Sequence, residues 1–275
     1  MRRGICWFLA VGLCVASCSG GSKHAVRSAP PRSVTTTTAR RPKPKPKPRP
    51  LLAPLTGLAD PFGVAEHRCA VTVKIDNTQV AQPHYGIEQA DVVYEEVVEY
   101  GITRLAAIFN SHAPDRVGPV RSVRLTDQLI VSPLRGVFAY SGGAPYAIDS
   151  INTAPVTQLD ETRAGPMMFR DLGRAAPHNL YAHVDQMYSR CTDPAPPALF
   201  TYRPPARRPA GGPVASMTVG FDHGYAVTWT WDRSSRIWNR AIFGTGEIAA
   251  SGVQLWTTNI VVLFTPYVGG VGALG

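Results

Sequence analysis

Hydrophobic and polar positions alternate with a period of two from Ala70 to Asp76, where Val71, Val73 and Ile75 interleave with Thr72, Lys74 and Asp76. Strict alternation of this kind predicts a strand, and Asp76-Asn77 closes it with turn chemistry. Pro83 and Gly86 argue against a helix before Asp91. Two further β-rich runs, 92–98 and 102–109, flank Tyr100-Gly101 and read as a β-hairpin. A two-residue turn there sets Glu99 opposite Ile102, Val97 opposite Arg104 and Glu95 opposite Ala106. Side chains alternate between faces, so this register puts Arg104 on one face with Glu95 and Glu99 and turns Glu96 away. A slip of one residue exchanges the two glutamates.

Downstream, 128–134 predicts a short helix with Thr126 or Asp127 as N-cap. A strand follows at 137–140, a short helix around Asp149 and Asn152, a turn and strand at 165–171, and a helix at 182–191. The proline-dense stretch 195–213 reads as a boundary. Beyond it, 214–221, 225–231, 237–243 and 259–264 read as strands of a small antiparallel sheet, with Trp229, Trp231 and Trp238 packing its faces. The predicted class is α+β: a mixed or antiparallel-sheet N-terminal domain with few helices over 51–194, and a small antiparallel β domain over 195–275.

The first 50 residues change the picture of charge and place. Arg2 and Arg3 precede an apolar run, 5–15, that is too short to span a bilayer as a mature helix and reads as a secretion signal over 1–18. Val15-Ala16-Ser17-Cys18, followed by Ser19-Gly20-Gly21, resembles a bacterial lipobox. That resemblance implies cleavage before Cys18 and a diacylglyceryl group on its sulfur, and two acyl chains suffice for stable anchoring. Residues 19–50 hold Ser, Thr, Pro, Arg and Lys with no aromatic, and cannot bury enough apolar surface to fold. The alternating Pro and Lys/Arg of 42–50 predict a polyproline II stalk of roughly 28 Å.

The formal net charge is +9, but residues 1–50 hold 11 of the 28 basic residues and none of the 19 acidic ones. The remainder carries 17 basic against 19 acidic groups, so the folded part is slightly acidic. Nucleic acid, which needs a basic patch on the folded domain, is excluded as the expected partner. Cys6 and Cys14 leave with the signal and Cys18 is taken by the lipid. The even remainder, Cys69 and Cys191, favours a disulfide in an exported protein over two free thiols.

The densest polar stretch is Gly118-Pro119-Val120-Arg121-Ser122-Val123-Arg124-Leu125-Thr126-Asp127. Arg104, Arg121, Arg124 and Arg170 predict an anion-binding cluster, because guanidinium forks match phosphate or carboxylate. The alternative is that they pair off with Glu95, Glu96, Asp76 and Asp127 as internal salt bridges. Lys74 is the one lysine in 51–275, on a strand face, where it needs a carboxylate partner or an anionic ligand. Asp76, Asn77 and Asn179 complete the candidate ligand-binding set. His178, just before a helix, is an acid/base candidate with Glu95 and Asp127. No GxSxG, HExxH, Walker loop or paired CxxC occurs, no ligand spacing supports a metal, and no cofactor is expected.

Seven ordered motifs resemble the YerB-like bacterial lipoproteins over about residues 54–268. They are Lys74-Ile75-Asp76-Asn77, Ala90-Asp91-Val92-Val93-Tyr94-Glu95-Glu96, Gly101-Ile102-Thr103-Arg104, Gly118-Pro119-Val120-Arg121-Ser122, Thr126-Asp127, Tyr140-Ser141-Gly142-Gly143 and Ala176-Pro177-His178-Asn179-Leu180-Tyr181. The resemblance implies an N-terminal and a smaller C-terminal domain in a surface lipoprotein, and implies no reaction. Gln82-Pro83-His84 stands where the family usually has Arg-Pro-Gln, which removes one expected cationic contact. The family continues into further strands after Tyr267, whereas this chain ends in Val268 to Gly275, so the expectation is an incomplete sheet with an exposed edge.

The expected protein is thus lipid-anchored on the extracytoplasmic face of the cell membrane. Its arginine-lined cleft takes an anionic cell-wall polymer or an envelope protein, and this first reading is a non-enzymatic one. The second reading is a hydrolase or transferase acting on cell-wall material through Glu95, Asp127 and His178.

Overall fold

The computed structural model describes residues 51–265 apart from 204–206, 208, 209, 222 and 223. The signal, Cys18, the stalk and the last ten residues lie outside the described residues.

Strand β1 (Val71–Asp76) is buried along its whole length and forms the centre of a five-stranded sheet. On one side it pairs antiparallel with β3 (Thr103–Phe109), which pairs antiparallel with β2 (Val92–Val97). On the other it pairs parallel with β4 (Val137–Ala139), which pairs parallel with β5 (Thr157–Leu159). The period-two pattern sorts the two faces. Val71, Val73 and Ile75 join Leu105, Ala107, Phe109, Val137 and Leu159 in the main hydrophobic core. Thr72, Lys74 and Asp76 face the other way, beside Ile108, Ala106 and Arg104, so the polar side chains of β1 are enclosed as well.

The hairpin register differs from the sequence expectation by one residue. Glu96, not Val97, is opposite Arg104, and Glu95 is opposite Leu105. The cause is loop length. The Val98 N–H donates to the Ile102 carbonyl at 2.8 Å, and the reversal is made by Glu99, Tyr100 and Gly101, with Tyr100 at φ 60° and Gly101 at φ 68°. Three residues rather than two exchange the glutamates: Glu96 shares a face with Arg104 and Lys74, and Glu95 turns to the other side.

The 118–127 segment is held from three directions. The Asp76 N–H donates to Pro119 O at 2.9 Å and the Arg121 N–H to Lys74 O at 2.8 Å, so the segment takes over beside β1 where β4 ends. From the second side, the Val120 N–H donates to Leu180 O at 2.7 Å, in β7 (Leu180–Ala182), which pairs with β6 (Met168–Arg170). From the third, the Val123 N–H donates to Gly142 O at 2.9 Å and Ser141 donates its N–H to Arg121 O at 2.9 Å. Gly118 has φ 149°, and a side chain there would meet Leu180 O at 2.9 Å. Only glycine fits that approach. The segment runs into α1 (Asp127–Val131), with α2 (Pro145–Ile151), α3 (Glu161–Ala164) and α4 (Val184–Met187) as the other short helices. Residue 182 belongs to β7 and the expected helix at 182–191 is α4 followed by a 3-10 turn, Tyr188–Arg190. Cys69 and Cys191 form a disulfide, with Cα atoms 6.1 Å apart.

The second sheet runs β11 (Thr245–Gly246), β10 (Ile237–Ile242), β9 (Ala226–Asp232), β8 (Ser216–Gly220), all antiparallel, with β12 (Trp256–Thr257) also on β10. Trp231 and Trp238 meet across it with ring centroids 5.2 Å apart. The strand expected at 259–264 does not form: Thr257 ends the last strand among the described residues, and Val261, Leu263 and Phe264 are exposed. The expectation about the final residues falls outside the described ones. The two sheets share a core, since Ala249 and Leu255 pack with β1 and β3, and Ile102 packs on Tyr225, Val227 and Ile242. The fold is α+β.

Candidate functional site

Lys74 is fully buried and donates to Asp127 Oδ1 at 2.8 Å and to Glu96 Oε1. Asp127 uses its other oxygen to accept the Arg124 backbone N–H at 2.6 Å, and Thr126 donates to the other Glu96 oxygen. Burial pushes the Lys74 ammonium down to about 8, Asp127 pulls it back up, and Arg104 and Arg124 push it down further. This trio ties β1, β2 and the start of α1 into one closed ionic unit.

The three arginines of the β1/β3 end behave differently from one another. Arg124 pairs with Glu99 at 2.5 Å, and Arg121 Nε lies 3.1 Å from Asp76 Oδ2. Arg104 meets no carboxylate among the described residues although it is only 7% exposed. Its one hydrogen bond, to Ser122 O, is 3.4 Å long, and Arg124 Nη1 reaches the same oxygen at 3.3 Å. Two guanidiniums therefore converge on one carbonyl. The Nε atoms of Arg104, Arg121 and Arg124 are all buried without a hydrogen-bond acceptor; the 3.1 Å approach of Arg121 to Asp76 is an ion pair without hydrogen-bond alignment. Burial pushes Arg104 down to about 10, with the charges of Arg124 and Arg121 adding to it and Glu99 and Asp76 opposing.

Asp76 is the hinge between this cluster and His178. Its Oδ1 accepts from the Thr78 N–H at 3.0 Å and the Thr78 hydroxyl at 2.9 Å, and its Oδ2 meets His178 Nδ1 at 2.7 Å. Burial alone would raise the Asp76 carboxyl, but the Thr78 hydrogen bonds, the Arg121 charge and His178 hold it below the usual carboxylate range. Nε2 of His178 has no partner among the described residues, and the side chain is 20% exposed.

The remaining candidates are placed elsewhere. Arg170 pairs with Glu161 at 2.5 Å and with Asn179 Oδ1 at 2.9 Å, and no ion pair or hydrogen bond joins either to the three arginines. Glu95 accepts from Asn77 at 3.0 Å, Thr103 at 2.8 Å and Arg240 at 3.0 Å on each oxygen. It belongs to the contact between the sheets, not to the arginine cluster. Each oxygen of Glu95 and of Asp127 already accepts at least one hydrogen bond, whereas an acid/base role calls for an unpaired carboxylate oxygen. Among the described residues no group of three His, Cys, Asp or Glu is arranged to hold a metal.

The sequence reading missed Arg240 and Glu247, and gave His84 no role beyond its place in the Gln82-Pro83-His84 step that replaces Arg-Pro-Gln. His84 Nδ1 lies 2.9 Å from Glu247 Oε1 and its Nε2 donates to Asp76 O at 2.7 Å, while Glu247 also pairs with Arg240. Burial pushes Glu247 up, but the hydrogen bond from His84 and the Arg240 charge hold it below its ordinary range. No local pattern links residue 240 to residue 95 across 145 positions.

Among known proteins, residues 55–195 match the family described as "Protein of unknown function (DUF3048) N-terminal domain". A Bacillus subtilis protein provisionally named lipoprotein YerB is 35% identical over 136 residues, covering 49% of this chain and 41% of the relative. The chain thus spans less than half the length of that relative. The crystal structure of YerB from Bacillus subtilis superposes with a TM-score of 0.64 at 24% identity, over 75% of this chain and 72% of that one, which shows the shared fold. No helix among the described residues is long and apolar enough to cross a membrane. The chain belongs to the DUF3048 family, the YerB-like proteins.

Proposed function

We propose that this protein is an extracytoplasmic lipoprotein, anchored to the cell membrane through Cys18, that binds an anionic ligand of the envelope at Arg104, Arg121 and Arg124. The anchor rests on the lipobox-like Val15-Ala16-Ser17-Cys18 and on similarity to a relative named as a lipoprotein. The binding site rests on one observation: among the described residues, three neighbouring guanidinium Nε–H groups are buried with no acceptor, and Arg104 has no ion-paired carboxylate. Native proteins pair nearly all such groups, and an unpaired buried cation costs stability that a bound anion returns. Phosphate or carboxylate oxygens on a wall polymer or a partner protein supply the missing acceptors.

The expected signature is a trade of stability against binding. Arg104→Met removes an unanswered charge, so the ligand-free protein gains about 1–3 kcal/mol in urea unfolding. The same variant loses at least about tenfold in affinity for inorganic phosphate or isolated wall fractions by calorimetry and retention. Arg121→Ala with Arg124→Ala also loses binding. Equal affinity in wild type and Arg104→Met, or no retention of wild type by any wall fraction and no phosphate binding, sinks the reading.

A further inference from the structure

The pair Asp76–His178 is not explained by binding alone. Asp76 is buried, is ionised, and can only accept hydrogen bonds, so the nitrogen of His178 that faces it at 2.7 Å carries the proton. In the neutral ring this leaves Nε2 as a lone pair, fixed in tautomer and orientation by a carboxylate that is itself fixed by Thr78. The same Asp76 Oδ2 lies 3.1 Å from Arg121 Nε. An oriented imidazole base and the unsatisfied guanidinium cluster thus share one atom. A histidine that served only to tie residue 178 to residue 76 has no need of a three-arginine site beside it.

We propose that Asp76 and His178 form an acid–base dyad serving the arginine site, and that the substrate class is a phosphate ester. The assignment rests on the anion-binding reading above and adds a reaction to it. Arg104, Arg121 and Arg124 hold the non-bridging phosphate oxygens and offset the charge that builds on them during displacement. A water oxygen bonds to phosphorus while its proton passes to His178 Nε2. The bond from phosphorus to the ester oxygen breaks, the departing alkoxide takes a proton from solvent, and Nε2 then releases its proton to solvent. His178 is the catalytic base and Asp76 a positioning residue. Among the described residues, the charged group paired with the imidazole is Asp76 and, through it, Arg121.

The test uses the full chain with p-nitrophenyl phosphate and bis(p-nitrophenyl) phosphate, followed across pH, with phosphate affinity measured in parallel. Turnover that rises with pH on one limb, falls about 100-fold or more in His178→Gln and loses that limb supports the dyad. Asp76→Asn, which leaves the ring free to take the other tautomer, is expected to lower the rate and to shift or remove the same pH limb. Phosphate bound by wild type and His178→Gln alike with no turnover of either ester removes the dyad and leaves the binding site standing. Turnover unchanged in His178→Gln overturns it equally. Absence of phosphate binding altogether counts against the site itself.

Discussion

Burying an ammonium costs several kcal/mol unless carboxylates answer it, and Lys74 meets two, Asp127 at 2.8 Å and Glu96. The arrangement makes single and combined substitutions behave oppositely. Lys74→Met leaves two carboxylates facing each other in the interior and is expected to destabilise by about 3–5 kcal/mol. Adding Glu96→Gln and Asp127→Asn removes the charges left behind, so the triple variant recovers most of the loss. Urea midpoints of the three proteins check this, and a triple variant no more stable than Lys74→Met refutes it. The need for a partner was legible at the residue scale, because a lone lysine among β-branched residues on a strand has few ways to stay charged. What the sequence left open was the choice between an internal carboxylate and an external anion. Two carboxylates answer Lys74, whereas Arg104, buried in the same sheet, has no ion pair among the described residues.

Elements were legible where period and punctuation agreed. β1, β2, β3, β4, β8 and β10 lie within the alternating or β-branched runs read from the sequence, and β9 passes its run by one residue, Asp232. Loop length was the weak point, since period two carries no information about how many residues make a reversal. Tyr100 shows why the two-residue reading failed: a tyrosine at φ 60° is costly, so nothing in its identity signals a left-handed position. That one extra residue decides which glutamate joins Lys74 and which joins Arg240, and so rewrites the composition of the site. Tyr100 is 87% exposed, so replacing it removes little packing. Tyr100→Gly is expected to stabilise the protein by about 1 kcal/mol through relief of the left-handed conformation. A thermal melt that shows equal or lower stability for the variant contradicts the three-residue turn.

At the scale of the whole molecule, the two sheets are joined by charge as much as by apolar packing. Arg240 lies between Glu95 of β2 and Glu247, His84 ties Glu247 to the end of β1, and the Tyr225 hydroxyl donates to Asn77 O. Residues from both sheets are needed to saturate the network, so it is a long-range device that no segment of sequence announces. Its pH dependence has a definite sign. The Glu247 carboxyl is held below its ordinary value of 4.5 in the folded protein. The stability it contributes is therefore complete above that value and is lost as pH falls through the lower, folded-state value. Glu247→Gln removes the charge permanently and leaves His84 and Arg240 short of an ionised partner, at a cost of about 3 kcal/mol at neutral pH. In acid the wild-type side chain becomes protonated and uncharged like glutamine, so the stability gap between the two proteins should close as pH drops below 4.5. The readout is unusually selective, because the four tryptophans of 51–275, Trp229, Trp231, Trp238 and Trp256, all stand in the second sheet. Urea unfolding followed by tryptophan fluorescence at neutral pH and at successive acid points measures the gap directly. A gap that stays constant into acid means that Glu247 is not the group that fastens one sheet to the other.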